Sequence, residues 1–126
     1  LISSSLLAIQ AQRLVRRVCT DCCEPTLLSV DEVNVLELGD DNGFSINRGA
    51  GCERCANTGY RGRIGLYELL IMSDAIRNHI ASGADANVIR DQAIKEGMRT
   101  LRQDALEKLK QGLTTPEEVV RVTRAI

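Results

Sequence analysis

The sequence predicts a mixed α+β fold built around a metal-binding insert, and three observations carry that expectation. Two C-x-x-C pairs, Cys19-Thr20-Asp21-Cys22 and Cys52-Glu53-Arg54-Cys55, stand 29 residues apart. A largely apolar stretch of strand character, Gly62 to Ile71, follows the second pair. From Ser73 onward the chain is punctuated by helix caps and helix-ending glycines. Each C-x-x-C pair lets two sulfurs reach one ion, and two pairs complete a tetrahedron. The pattern therefore predicts one structural zinc ion held by Cys19, Cys22, Cys52 and Cys55.

Taking the elements in order, Leu1 to Ile9 places apolar groups at 2, 6 and 9, a helical spacing, and reads as the end of a packed helix. In Gln10 to Val18 the apolar residues are Ala11, Leu14, Val15 and Val18, and periodicity alone leaves strand and helix open. Between the cysteine pairs, Ser29-Val30-Asp31-Glu32 is a capping box. It opens a short helix with Val30, Val33, Leu36 and Leu38 on its apolar face and Gly39 as its stop. Asp40-Asp41-Asn42-Gly43 is a turn, and Phe44 to Arg48 alternates as a strand. Gly51 and Gly59 lie beside the cysteines, where the backbone must curl so that its amides point at sulfur.

Gly62 to Ile71 reads as a strand in which Glu68 either faces solvent or is paired. Ser73 caps a helix that Gly83 stops, and Asp85 caps the next, which Gly97 stops. Thr100-Leu101-Arg102-Gln103 is a second capping box, and its helix ends at Gly112. Thr115-Pro116-Glu117-Glu118 combines cap, first-turn proline and acid to open the last helix. The expected helical part is a bundle of four short helices.

Composition narrows the function classes. The chain has 126 residues, is 44% hydrophobic and carries a net charge of −1. That is enough apolar material for a core and no basic excess of the kind that marks nucleic-acid binding. Aromatics are only 2%, so the core must be aliphatic. No apolar run approaches the ~20 residues of a membrane span. The first nine residues are too short and lack the basic leader of a signal peptide. Five cysteines, an odd number, without such a signal favour metal-bound thiols in a reducing cytoplasm over disulfides. The start at Leu1-Ile2, with no initiator Met, suggests a piece of something longer.

The cysteine pattern has competitors. A thioredoxin-type redox pair fits poorly, because there are two pairs rather than one at a helix start. A rubredoxin-like iron site matches the spacing, but the scarcity of aromatics and the long helical tail stand against it. Four thiolates leave no open position for catalytic zinc. Cys23 is a bystander that could replace Cys22 if the register shifted. Arg13, Arg16, Arg17, Arg54, Arg61 and Arg63 cluster around the pairs and would offset the charge of a four-thiolate zinc site; the alternative is contact with nucleotide or a neighbouring subunit. His79 reads as a plain helical residue.

A longer set of residues resembles a known family. Gln12-Arg13-Leu14-Val15-Arg16 leads into the first cysteine pair. Thr58-Gly59-Tyr60-Arg61-Gly62-Arg63-Ile64-Gly65-Leu66-Tyr67-Glu68-Leu69-Leu70 follows the second. The tail carries Gly97-Met98-x-Thr100-Leu101 and Gly112-Leu113-Thr114-Thr115-x-Glu117-Glu118-Val119. In this order they resemble the C-terminal region of the GspE/PilB ATPases of type II secretion and type IV pilus assembly. The resemblance implies that 1–18 ends a RecA-like ATPase core, 19–61 is a tetracysteine zinc module inserted in a hairpin, 62–72 is the returning strand and 73–126 is a helical subdomain. Gln10 to Val18 and Gly62 to Ile71 would then be antiparallel strands, with zinc clamping the neck of an insert too small to hold its shape alone.

The resemblance further implies a cytoplasmic parent, peripheral to the inner membrane, that works as a homo-hexamer on ATP and Mg²⁺ and meets an inner-membrane platform. No phosphate-binding loop, Walker B acid or histidine box occurs in these residues, so this stretch alone would not hydrolyse ATP; docking and force transmission are its expected work. The alternative is a stand-alone zinc-binding interaction module, a zinc ribbon or rubredoxin-like unit without ATPase context. On the modular picture, Cys19→Ser or Cys52→Ser would loosen the insert and leave the terminal helices folded.

Overall fold

A computed structural model of the chain describes residues 7–123. Its frame is a long antiparallel pair of strands, β1 (Ala8–Val18) and β4 (Tyr60–Ile71). The register runs from Ala8 opposite Ile71 to Arg16 opposite Arg63 and then, past an irregularity, to Val18 opposite Tyr60. Period two sets Ala11, Val15, Ile64 and Leu66 on one face, where Val15 and Leu66 are fully buried. On the other face Leu14, Tyr67, Leu69 and Ile71 stay exposed, the last three at 46%, 49% and 58%.

Between the strands lies the insert: β2 (Cys23–Leu27), α1 (Val30–Val35) and β3 (Ser45–Gly49). β2 and β3 form a second antiparallel sheet of two strands, with Pro25 opposite Asn47. Four helices follow: α2 (Asp74–Ala81), α3 (Ala86–Lys95), α4 (Leu101–Lys110) and α5 (Pro116–Thr123). The caps fall where local chemistry put them. Ser73 Oγ accepts from the Ile76 amide at 3.2 Å, Asp85 Oδ1 from the Asn87 amide at 2.8 Å and Thr115 Oγ1 from the Glu118 amide at 3.4 Å. Both capping boxes close in both directions, Ser29 with Glu32 and Thr100 with Gln103. Each such cap contributes about 1 kcal/mol.

The apolar residues sort into two cores. One joins Val15 and Leu66 of the hairpin to Leu101, Ala105, Leu109, Val119 and Val122 of α4 and α5, and it also takes Leu36 and Ile46 from the insert. The other packs Met72, Ile76 and Ala93 with Leu70, Ile80 and Met98. The helices thus form two pairs, α2 with α3 and α4 with α5, rather than the single bundle expected. The insert thus contributes Leu36 and Ile46 to the core that α4 and α5 line.

Other expectations change as well. Ala8 and Ile9 belong to β1, because pairing with Ile71 and Leu70 outweighs a three-residue helical spacing; the rest of the expected helix, 1–6, lies outside the described residues. α1 ends before Leu36, with Glu37 rather than Gly39 as its first left-handed residue (φ 54°). The Leu38 amide reaches back to Val33 O at 3.1 Å, and the turn drives Leu36 into the core. β2 was not foreseen, since Pro25 argues against a strand; each strand of a two-stranded sheet is an edge, the setting in which proline is tolerated.

A two-stranded hairpin leaves a row of backbone groups open on each outer edge. The C-terminal helices fill part of both rows. Along β1, Arg121 Nη2 donates to Leu14 O (3.1 Å), the Arg16 amide donates to Glu118 Oε1 (2.6 Å), Thr114 Oγ1 donates to Arg16 O (2.9 Å) and the Val18 amide donates to Leu113 O (2.9 Å). Along β4, the Tyr67 amide donates to Asp104 Oδ2 (2.9 Å). Glu68 is paired: its carboxylate accepts from the Leu101 amide at the start of α4 (3.0 Å) and faces Arg90 at 3.5 Å.

Glu118 is the pivot of this edge, with its side chain only 1% exposed. Burial pushes its pKa up, but Arg121, the Arg16 amide and the Arg16 guanidinium outweigh burial and hold it at about 2, below the usual 4.5. A carboxyl depressed in the folded state contributes stability that is complete above pH ~4.5 and lost as pH falls toward 2. Glu118→Gln should therefore lower unfolding free energy by about 3 kcal/mol at neutral pH and by progressively less below pH ~4.5. Urea unfolding of both proteins across pH, with chelator present throughout, checks this; a gap that ignores pH would contradict it.

Candidate metal centre

The two cysteine pairs sit where the hairpin opens. Cys19 directly follows β1, and its amide donates to Gly59 O at 2.9 Å, so the ladder continues one step beyond Val18 into the cluster. The second knuckle turns through Ala56 and Asn57, both left-handed (φ 54° and 62°), with the Asn57 amide closing onto Cys52 O at 2.8 Å. Holding Ala56 there costs on the order of 1 kcal/mol, and no glycine in the sequence announced that turn. Gly51 and Gly59 have φ of 101° and 82° and do what their positions predicted. The Gly51 amide points at Cys22 Sγ (3.3 Å) and the Gly59 amide at Cys55 Sγ (3.3 Å), which also receives the Cys52 amide (3.2 Å). Gly59 also lies so close to Gly49 that a Cβ on Gly49 would be 2.2 Å from Gly59 O.

The result is convergence. The Sγ atoms of Cys19, Cys22, Cys52 and Cys55 all lie within 4.8 Å of one another. Cys19 to Cys52 is 3.7 Å, Cys22 to Cys55 is 3.8 Å and Cys52 to Cys55 is 3.7 Å. These are free thiols rather than disulfides. An ion at the centre of a regular tetrahedron with metal–sulfur bonds of ~2.3 Å has sulfur–sulfur edges of ~3.8 Å. Three of the edges match that value and all lie within 4.8 Å, so the donor set fits a tetrahedral thiolate ion, and four thiolates leave no place for a reacting ligand.

Charge in the metal-free cluster is unevenly held. Burial pushes the Cys22 thiol up to about 12, against the pull of the Gly51 amide. Burial acts on Cys55 in the same sense, but the amides of Cys52 and Gly59 and the neighbouring sulfurs bring it down to about 6.

Three of the surrounding arginines pair with carboxylates. Arg54 and Arg61 reach Asp21 (3.9 and 3.3 Å), and Arg16 is taken by Glu118 (3.1 Å) while stacking 4.1 Å over the Tyr60 ring. Hydrogen bonds to the sulfurs come from backbone amides instead. Cys23 is exposed, with its Sγ 3.7 Å from Thr20 O, and stands outside the cluster. His79 lies on α2 and joins no group of ligating side chains. Among the described residues the carboxylates of Asp104 and Glu118 are buried; the sequence reading did not single out Asp104 and took Glu118 only as an acid of a helix start.

Serine at any one of positions 19, 22, 52 and 55 should abolish stoichiometric metal uptake, whereas Cys23→Ser should leave it intact. Elemental analysis of the purified variants measures this. Loss of metal in Cys23→Ser would place that thiol in the cluster.

Among the described residues, no helix is long and apolar enough to cross a membrane. The profile of the family described as "Type II/IV secretion system protein" matches residues 1–121. The type IV pilus assembly ATPase PilB of Thermus thermophilus is 43% identical over 124 residues, which covers 97% of this chain and 14% of that protein. Type II secretion system protein E of Pectobacterium carotovorum is 44% identical over 124 residues, covering 98% of this chain and 24% of its own length. Type II secretion system ATPase E of Vibrio cholerae is 40% identical, again over 98% of this chain and 24% of that protein. The chain thus spans about a quarter or less of the length of these relatives. It belongs to the type II/IV secretion system protein family.

Proposed function

We propose that this chain is the C-terminal region of a cytoplasmic, hexameric ATPase that powers type II secretion or type IV pilus assembly. In this reading Cys19, Cys22, Cys52 and Cys55 hold one structural zinc ion. ATP and Mg²⁺ are bound elsewhere in the parent protein, and the region described here docks and transmits force. The observation that carries the reading is the match along nearly the whole chain to proteins named as secretion and pilus assembly ATPases.

The structure supports the finer parts physically. β1 has β4 on one side and, among the described residues, no strand on the other. Among the described residues, α5 and the turn before it cover that edge from Leu14 to Val18. The uncovered sheet face of Leu14, Tyr67, Leu69 and Ile71 adjoins that open edge. An apolar face beside an open edge is the surface left when a hairpin is taken from a larger sheet. We therefore assign 1–18 and 62–72 to the margin of a RecA-like core, 19–61 to the zinc module and 73–126 to the helical subdomain. The parent would lie at the inner membrane through a platform protein. A stand-alone module without ATPase context is the weaker reading, because nearly the whole chain matches proteins named as secretion and pilus assembly ATPases.

The test uses the full-length protein and this stretch side by side. Full-length protein should assemble as six subunits and hydrolyse Mg·ATP, while the 126 residues alone should show no hydrolysis above buffer. A full-length protein that lacks a phosphate-binding loop, or that is inert toward ATP, would sink the motor reading and leave the zinc module standing.

A further inference from the structure

The contacts at the hairpin neck do more than close the insert. Gly59 donates its amide to Cys55 Sγ and its carbonyl accepts from Cys19, and the next residue back, Val18, donates to Leu113 O. On the other side the Ala50 amide donates to Cys22 O at 3.1 Å. Gly49 presses on Gly59, and Asn47, two residues earlier in β3, donates through Nδ2 to Gly112 O at 3.2 Å. Both knuckles are therefore within a few residues of a bond to the turn between α4 and α5. That turn is itself tightly seated: a Cβ at Gly112 would lie 2.4 Å from Asn47 Nδ2, and Tyr60 OH meets Thr115 Oγ1 at 2.7 Å. Arg48 of β3 adds bonds of 2.7 and 2.9 Å to Glu117 on α5.

We infer that the thiolate cluster and the 111–115 turn form one linked device: an ion in the cluster seats the turn and α5 against the hairpin, and the seated turn tightens the hold on the ion. The inference rests on the metal reading above. Its physical basis is that groups packed with no slack, here the Gly49 backbone on Gly59 and the Asn47 side chain on Gly112, shift together. Linkage makes the effect reciprocal, so contacts broken at the turn must weaken ion binding by the same factor by which the ion strengthens those contacts. The insert then reports to α5 directly, and movement of α5 in a working motor would be felt at the neck.

Zn²⁺ is the probe, with affinity measured in the full-length protein by competition with a chromophoric chelator. Asn47→Ala and Tyr60→Phe each remove one turn contact and touch no cysteine. Either should raise the Zn²⁺ dissociation constant about fivefold or more. Ile76→Ala, in the separate core of α2 and α3, serves as a destabilising control and should leave it unchanged. Zinc removal should also speed amide exchange across 111–123 and leave α2 and α3 protected. Wild-type affinity in both neck variants, an equal loss in Ile76→Ala, or exchange that quickens only within 19–59 would overturn the linkage. Absence of Zn²⁺ uptake by the wild-type protein would instead fail the metal reading beneath it, and the linkage with it.

Discussion

The convergence of four sulfurs at the point where β1 and β4 part is the constraint on which the rest of the molecule depends. Residues 19–59 leave the hairpin and return to it, and closing a loop of that length costs only slowly growing entropy. What such a loop lacks is a reason to hold one shape. Its buried side chains of any size are Leu36 and Ile46, and both are contributed to a core that belongs mainly to the hairpin and the last two helices. The insert therefore meets the rest of the molecule from two sides, at the sulfur cluster of its neck and along a core shared with the hairpin and the last two helices.

The same economy explains the C-terminal helices. A two-stranded hairpin has two unsatisfied edges, and α4, α5 and the turn between them supply Asp104, Thr114, Glu118 and Arg121 to them. Buried carboxylates are costly unless fully bonded. Glu118 is bonded to a backbone amide and two guanidinium groups, and so serves as an edge strand would. Among the described residues, no such bond reaches the outer edge from Ala8 to Gln12, and Tyr67, Leu69 and Ile71 stay exposed. That contrast within one hairpin is why a larger sheet is proposed to continue beside it.

How much of this was legible in the sequence follows the range of the interactions. Ser29, Ser73, Asp85 and Thr100 were readable as caps because a cap is settled within three residues of itself. Gly51 and Gly59 were readable because a positive φ beside a cysteine has few uses. The two cysteine pairs were legible as spacing, and the structure brings their four sulfurs together. What depended on distant partners was not legible. β2 exists because β3 pairs with it, in spite of Pro25. α1 stops at Leu36 because the core draws that side chain in. Glu118 looked like a helix-start acid, and only the approach of Arg16, 102 residues earlier in the chain, makes it a buried anchor. The split of the four helices into two pairs likewise has no local signature.

The central claim is that one tetrahedral four-thiolate ion closes the neck and fixes everything attached to it. X-ray absorption at the metal edge, on protein purified without added metal, tests it most directly. The account predicts a zinc edge and four sulfur neighbours at ~2.3 Å. An iron edge, a nitrogen or oxygen neighbour in the inner sphere, or fewer than four sulfurs would contradict it.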